Sequence, residues 1–153
     1  MPEKLRKQPP HLEKIVKDGN AYYSLYWSGL RKAEKYDISR HVPSVAGMYE
    51  MYYKDDHGRI RLMSISRAWY GGLRSKLRFD TDPDLVMDPS YRKILETREI
   101  YYRYTMTDSM KDMLDVLYFF SKSYLPDQPG PDDSGRYGTI FLEEIAPDKL
   151  VTI

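Results

Sequence analysis

The stretch GMYEMYYKDDHGRIRLMSIS, from Gly47 to Ser66, decides the fold predicted for this chain. Its first part, Met48 to Tyr53, is apolar and rich in the aromatic residues that favour strands. Asp55 to Gly58 is a turn signal, and apolar and polar residues alternate from Arg59 to Ser66. Two strand-forming runs around a glycine-bearing turn predict an antiparallel hairpin.

The chain after this hairpin alternates between helix and strand patterns. An N-cap followed by proline at Asp88-Pro89, and a capping box at Ser109 and Asp112, mark the starts of two helices. Alternation of apolar and polar residues marks the strands. We therefore predict helices over residues 73–78, 89–97 and 110–122, and strands over residues 99–106 and 137–145.

The chain before the hairpin predicts helix. Residues 1–10 are polar and basic and predict a flexible tail, which Pro9-Pro10 closes. His11 to Lys17 fits one or two helical turns, Gly19-Asn20 is a break, and Ala21 to Tyr36 fits a longer helix. Residues 11–42 therefore predict a helical extension, which we expect to wrap the domain because it is too short to bury a core alone.

Composition bounds the class of protein. A chain of 153 residues with 41% hydrophobic and 31% charged residues predicts one globular domain over residues 11–153. The predicted fold is α+β, with a small antiparallel sheet of three to four strands packed with helices. No apolar run approaches the roughly 20 residues that cross a bilayer, and Met1 to Pro10 lacks the apolar core of a signal peptide. We therefore expect a cytoplasmic protein that does not contact membranes.

Several kinds of catalytic and cofactor site have no support in the sequence. The chain has no cysteine, which excludes disulfides, zinc–thiolate sites and cysteine nucleophiles. The three histidines, at positions 11, 41 and 57, fall at no spacing that would converge on a metal. There is no glycine-rich phosphate loop and no nucleophile elbow. We therefore predict no metal and no cofactor.

Short motifs in the segment 43–126 resemble those of a known family. Gly47-Met48-Tyr49 opens the first strand after a proline, where Gly-Ile-Tyr would stand. The second motif has two candidates, Tyr70-Gly71-Gly72 by its letters and Met63-Ser64-Ile65 by its register. Gly72 to Leu77 is similar to the start of the family's first helix, with Lys76 at the place of the catalytic arginine. This order of elements resembles the GIY-YIG nuclease domain, followed here by a loop and last strand over residues 127–153.

The resemblance implies a domain that has lost its catalysis. The metal-binding glutamate of the family would fall near Leu117, which cannot bind a cation. Asp115 lies about 200° away around the helix and projects to the opposite side. We therefore expect no catalytic residue; an active protein would be a GIY-YIG-type endonuclease whose acid comes from elsewhere, for example Glu96, Glu99 or Glu143.

A basic and aromatic surface is the predicted binding site. The segment 59–79 has six Arg or Lys residues and no acid, which also fits a solvated face balanced by the acids that follow it. Cations bind phosphates and tyrosine rings stack on bases, so we expect DNA or RNA as the partner. The candidate residues are Tyr49, Arg67, Tyr70, Arg74, Lys76 and Arg78.

The alternative hypothesis is a protein-interaction module. The chain has 15 tyrosines, and several cluster at Tyr22 to Trp27 and at Tyr101 to Tyr104. Tyrosine and tryptophan are enriched in the parts of protein interfaces that contribute most to binding. Exposed clusters at these two places would favour a protein partner over nucleic acid.

Overall fold

The computed structural model of this chain describes residues 9–127 and 129–147. Residues 1–8 of the tail predicted over residues 1–10, and the last residues, 148–153, lie outside this range. The strands are β1 (His11–Lys17), β2 (Asn20–Tyr26), β3 (Arg31–Lys32), β4 (Gly47–Lys54), β5 (Ile60–Ala68), β6 (Ile100–Met106) and β7 (Ile140–Ile145). The helices are α1 (Lys35–His41), α2 (Gly72–Asp80), α3 (Pro89–Thr97) and α4 (Met110–Ser123).

The described strands form one curled, mixed sheet. Their order is β5-β4-β6-β1-β2-β7, and the short β3 pairs with β6. The pairs β4–β5, β4–β6, β1–β2 and β3–β6 are antiparallel, whereas β1–β6 and β2–β7 are parallel. The predicted small antiparallel sheet of three to four strands is therefore wrong, because β1, β2, β3 and β7 extend the sheet into a half-barrel.

The hairpin that dominates the sequence is confirmed. β4 and β5 pair from Gly47–Ala68 to Lys54–Ile60. Met51 pairs with Ser64 while Tyr52 pairs with Leu62, so Met63 is a bulge in β5. Such an extra residue strengthens the local twist, which helps the sheet to curl.

Gly47 serves the close packing of the sheet. A Cβ at this position would lie 2.2 Å from the carbonyl oxygen of Thr105 on β6 and 2.8 Å from Leu73 on α2. Only a residue without a side chain lets β4, β6 and α2 approach this closely. The glycine of the Gly-Met-Tyr motif is thus explained by packing.

The predicted helices after the hairpin are confirmed. Asp88 caps α3 by accepting hydrogen bonds from the backbone N–H groups of Ser90 and Tyr91. The Ser109 hydroxyl caps α4 by accepting from the N–H of Asp112 at 3.1 Å. These caps satisfy backbone donors that the first helical turn leaves unpaired.

The predicted helical extension over residues 11–42 is wrong for most of its length. β1 and β2 form a second hairpin, and helix begins only at Lys35. Asp18 and Gly19 have φ of 53° and 76°, which is the left-handed turn that Asp-Gly favours between two strands. In β2 the residues Ala21, Tyr23 and Leu25 are buried at every second position, which is the period of a strand, and Tyr26 at its end is also buried.

Two hydrophobic cores lie on opposite faces of the sheet. α4 covers the first, and α1, α2 and α3 cover the second. The buried part of the first core is Ala21, Tyr23, Leu25, Trp27, Met48, Met113, Val116, Leu117 and Phe120. That of the second is Ile38, Val42, Tyr49, Met51, Ala68, Leu73, Leu77, Ile100 and Tyr102. Within residues 9–127 and 129–147, no helix has the length and apolar character required to cross a bilayer.

Candidate anion-binding cleft

A cleft of about 590 Å³ lies between β5, α2 and the C-terminal part of α4. We call it the β5 cleft. Its volume is in the range of small-molecule sites, which is about 300–1,000 Å³. The lining residues are Ile65, Ser66, Arg67, Lys76, Leu117, Phe120, Ser121, Leu125, Pro129, Gly130 and Pro131.

The β5 cleft passes over the free edge of the sheet. Ile65, Ser66 and Arg67 all line it, although side chains of consecutive strand residues point to opposite faces. Ser66 shares a face with its partner Tyr49, and Ile65 packs against the core under α4. Among the described strands β5 pairs only with β4, so the outer backbone groups of residues 65–67 have no partner in a described strand.

The charge of the β5 cleft is positive. Arg67 and Lys76 line it, and none of its described lining residues is acidic. Arg67 is exposed and forms no ion pair within residues 9–127 and 129–147; its Nη1 lies 4.0 Å from the sulfur of Met110. The ammonium of Lys76 lies 3.5 Å from Asp80 Oδ1, with 45% of the Lys76 side chain exposed. Such an exposed pair contributes about 0–1 kcal/mol, so Lys76 can turn to an anion.

Tyr49, a predicted binding residue, is a structural anchor. Its side chain is fully buried and its hydroxyl donates to Asp80 at the end of α2. Burial, reinforced by the Asp80 charge, raises the pKa of Tyr49 above its ordinary value, so the phenol stays protonated. We therefore leave Tyr49 out of the binding surface.

The other predicted binding residues lie in different places. Tyr70 is 93% exposed on the connection between β5 and α2. Arg74 donates from Nε to the carbonyl oxygen of Val42 at 2.7 Å and ties α2 to the chain before β4. Arg78 lines a second cleft of about 630 Å³, together with Lys35. The structure thus brings Arg67 and Lys76 together, with Tyr70 on the loop between their elements.

Leu117 and Asp115 lie on different sides of α4, as their helical spacing predicts. Leu117 lines the β5 cleft, whereas Asp115 accepts from Arg136 Nη2 at 2.6 Å inside the protein. Among the described residues, no three His, Asp or Glu side chains come together in a way that could hold a metal ion. The cleft can therefore offer an anion two cations, Arg67 and Lys76.

Sequence reasoning missed one wall of the cleft. Ser121 lies near the end of α4, and Leu125 follows the helix. Pro129 to Pro131 belong to the loop that comes next. The sequence predicts that loop from its Pro, Gly and Asp content but not what it packs against. A Cβ at Gly130 would lie 2.5 Å from that of Ser121, which shows how closely the loop approaches α4.

The tyrosine clusters are mostly interior. Tyr23, Tyr26 and Trp27 are at most 5% exposed, and Tyr102 is fully buried. Tyr22 is 40% exposed and stacks on Phe141 with 4.8 Å between ring centroids. Most of the aromatic side chains predicted to form interaction surfaces are therefore buried and pack within the protein.

Apart from the β5 cleft, a buried cluster of polar side chains lies inside the curled sheet. Arg103 donates to Glu50 at 2.6 Å and to Glu144 at 3.4 Å, and its guanidinium lies 4.5 Å from the centre of the Trp27 ring. Tyr52 also donates to Glu50, at 2.7 Å. Burial raises the pKa of Glu50 above its ordinary value despite these bonds. Because Glu50 and Arg103 are buried and line no described cleft, we interpret the cluster as structural.

Comparison with known proteins identifies one family. A family profile with the description "Uncharacterised protein" matches residues 11–153. No curated protein and no solved structure matches the chain. The resemblance to the GIY-YIG nuclease domain is therefore wrong: the profile that matches is not a nuclease profile, and the large mixed sheet differs from the small GIY-YIG sheet.

Proposed function

The chain belongs to the family described as "Uncharacterised protein", and we propose from the geometry of the β5 cleft that it binds nucleic acid without cleaving it. The observation that carries this proposal is the pairing of Arg67 and Lys76 in one cleft without a described acidic lining residue. The ligand class is DNA or RNA, held through its phosphates.

The two cations bind phosphate in different ways. A guanidinium forms two parallel hydrogen bonds to phosphate oxygens, whereas an ammonium acts as a point charge. Arg67 has no competing carboxylate in the described part of the chain. Lys76 has the weak pair with Asp80, and its ammonium lies 5.8 Å from the centre of the Phe79 ring. The Ser66 hydroxyl bonds with Tyr49, and the Ser121 hydroxyl donates to the carbonyl oxygen of Tyr118 at 2.8 Å, so phosphate binding relies on the two cations.

Tyr70 provides an exposed ring for stacking. It follows Arg67 by three residues, a span of about 10 Å at most. Its side chain is almost fully exposed on the loop that joins the elements of the two cations, and exposed aromatic rings combined with cations are typical of surfaces that bind single strands. We expect a base next to the bound phosphate to stack on this ring.

Binding should weaken as the salt concentration rises. The net charge of the chain is only +1, so attraction comes from the local cations rather than from the whole protein. Each phosphate contact releases counterions, which gives a slope of about −0.7 per contact in the logarithm of the affinity against the logarithm of salt for single strands. With two cations at the site, we expect a slope of about −1.4.

The experiment is fluorescence anisotropy with labelled DNA and RNA strands of about 12 nucleotides, a length within the usual range of single-strand sites. Affinity is measured between about 50 and 200 mM salt for the wild type and for Arg67→Ala, Lys76→Ala and Tyr70→Ala. The charge-matched controls are Lys17→Ala and Lys93→Ala, two exposed lysines outside the lining of the cleft. The control for Tyr70 is Tyr36→Ala, which is 73% exposed on α1.

The expected result is weaker binding for the three cleft variants only. Arg67→Ala and Lys76→Ala should each reduce the salt slope by about 0.7. Tyr70→Ala should reduce affinity about 5-fold or more, the effect of one lost stacking contact. Absence of binding at low salt, or equal losses in the Lys17 and Lys93 controls, would contradict the proposal.

A further inference from the structure

We infer that the β5 cleft takes up one unpaired base, so that the ligand is a single strand rather than a duplex. This inference rests on the proposed function. It is carried by the division of the cleft into a charged wall and an apolar wall, and by the free edge of β5 between them.

The two walls come from different elements. Arg67 on β5 and Lys76 on α2 supply the charge. The opposite wall, from α4 and the chain after it, presents Leu117, Leu125 and the prolines at positions 129 and 131. A phosphate alone would leave that apolar surface in contact with water, whereas a flat, largely apolar base would cover it. A nucleotide carries both parts, an anionic phosphate and a largely apolar base.

The free edge of β5 adds hydrogen-bonding groups. Backbone N–H and C=O groups on the outer edge of a strand alternate as donors and acceptors. The edge near Ile65, Ser66 and Arg67 lines the cleft and has no strand partner among the described residues. The Watson–Crick edge of an unpaired base carries the same kinds of group. In a duplex those groups are already paired, and the bases are stacked out of reach.

The volume agrees with one nucleotide. At about 590 Å³ the cleft is in the range of sites for single small molecules. A duplex could reach only its rim with its backbone. The structure therefore favours binding in which the base contributes, in addition to the phosphate.

The experiment compares three ligands of equal length and equal charge per strand: a single strand, the same strand as a duplex, and an abasic strand. It uses the full chain, with Leu125→Gln as the variant of the apolar wall. Gln is close to Leu in size and neutral, so the charge of the cleft stays the same. The matched control is Leu85→Gln, a 45% exposed leucine of the second cleft.

The single strand should bind at least about 5-fold more tightly than the abasic strand or the duplex, because one base contact has that effect. Leu125→Gln should reduce this preference, with a larger loss of affinity for the single strand than for the abasic strand, and Leu85→Gln should leave the preference as it is in the wild type. Because the comparison of the three ligands needs only the wild type, it holds even where Leu125→Gln does not fold.

Other outcomes separate the two proposals. Equal binding of all three ligands, with all of them weakened by Arg67→Ala, would overturn the base pocket and leave the proposed function in place. Absence of binding to any strand would overturn both. Binding of an acidic peptide, with no binding of any DNA or RNA strand, would also overturn both proposals. It would indicate that the peptide adds to the sheet as a β-strand along the outer edge of β5.

Discussion

Arg103 Nε donates to Glu50 Oε1 at 2.6 Å in the interior of the curled sheet, where the two side chains are 4% and 1% exposed. The contact joins neighbouring strands, because Glu50 on β4 and Arg103 on β6 are register partners. A charge that loses its partner at this depth is not solvated by water. Loss of either member of the pair should therefore destabilise the folded protein.

Removal of Arg103 is expected to destabilise the protein strongly. Arg103→Leu leaves Glu50 without its cation and should lower the free energy of unfolding by about 3–5 kcal/mol, measured by urea denaturation. The double variant Glu50→Leu/Arg103→Leu should recover most of this loss, because the fully buried carboxylate is removed together with its cation. Glu144, which then loses only a 3.4 Å contact with Arg103, is 22% exposed and keeps access to water.

The matched control is an exposed pair of the same type. Arg98 contacts Asp56, whose side chain is 79% exposed. Arg98→Leu should change the free energy of unfolding by less than about 1 kcal/mol. Similar effects of Arg98→Leu and Arg103→Leu would contradict the role given to burial.

Gly47→Ala is expected to be among the most damaging single changes. The added methyl group would lie 2.2 Å from the carbonyl oxygen of Thr105, so β4 and β6 would have to separate. We expect a loss of more than about 3 kcal/mol in the free energy of unfolding, the magnitude of strong overpacking. Gly29→Ala is the control, because its Cβ would make only an ordinary contact of 3.8 Å with Pro147. A mild effect at Gly47 would show that the packing argument is incorrect.

Stability should depend on pH through Asp37. The guanidinium of Arg31, bonded to both of its oxygens, lowers the pKa of Asp37 from 3.8 to about 2. The unfolded chain therefore takes up this proton at a higher pH than the folded chain. The stabilisation is complete above the unfolded pKa of 3.8 and is lost as the pH falls to about 2.

The variant Asp37→Asn tests this pH dependence. We expect it to lower the free energy of unfolding by about 1 kcal/mol at neutral pH, a value reduced for the partial exposure of the pair. The difference from the wild type should disappear near pH 2, in urea denaturation at several pH values. Arg31→Met should give the same profile. A difference that is constant with pH would mean that the carboxylate charge is not responsible.

Arg136 is expected to hold the loop before β7 against α4. Its Nη2 donates to Asp115 Oδ2 at 2.6 Å and to Asp112 Oδ1 at 2.9 Å, while Asp115 Oδ1 has no partner among the described residues. Arg136→Met should cost about 2–3 kcal/mol, somewhat less than a fully buried pair because Arg136 is 26% exposed. It should also speed hydrogen exchange of the amides in residues 129–139.

Addition of Asp115→Asn is the control for this effect. It removes the buried charge that Arg136→Met leaves behind and should restore part of the stability. It should not restore slow exchange in the loop, because the anchoring cation is still absent. Restoration of both properties would assign the loop's order to other contacts.

Local signals predicted the parts of the fold that depend on neighbouring residues. The hairpin of β4 and β5, the Asp88 cap and the Ser109 cap each involve groups a few residues apart in the chain. The strand β2 was missed because the apolar residues of the segment 21–36 also fit a helical period, although the tyrosines of β2 favour a strand. The turn at Asp18 and Gly19 was the signal that could have corrected this interpretation.

The candidate site was predicted in part for the same reason. Arg67, Tyr70 and Lys76 lie within ten residues of each other, so their charge and aromatic character could be recognised together. Leu125 and Pro129 to Pro131 come from about 50 residues further along the chain. Tyr49 and Arg74 have suitable chemistry, but their contacts with Asp80 and Val42 withdraw them from the surface.

The sequence by itself determined the local elements and the basic segment, because a turn, a cap or a run of like charges needs only nearby residues. The tertiary structure alone decided that β1, β2 and β7 join the sheet and that α4 faces the free edge of β5. Those relationships follow from burying apolar faces that are distant in the chain. Which apolar faces become buried together depends on the arrangement of all the elements, so a short stretch of sequence cannot predict it.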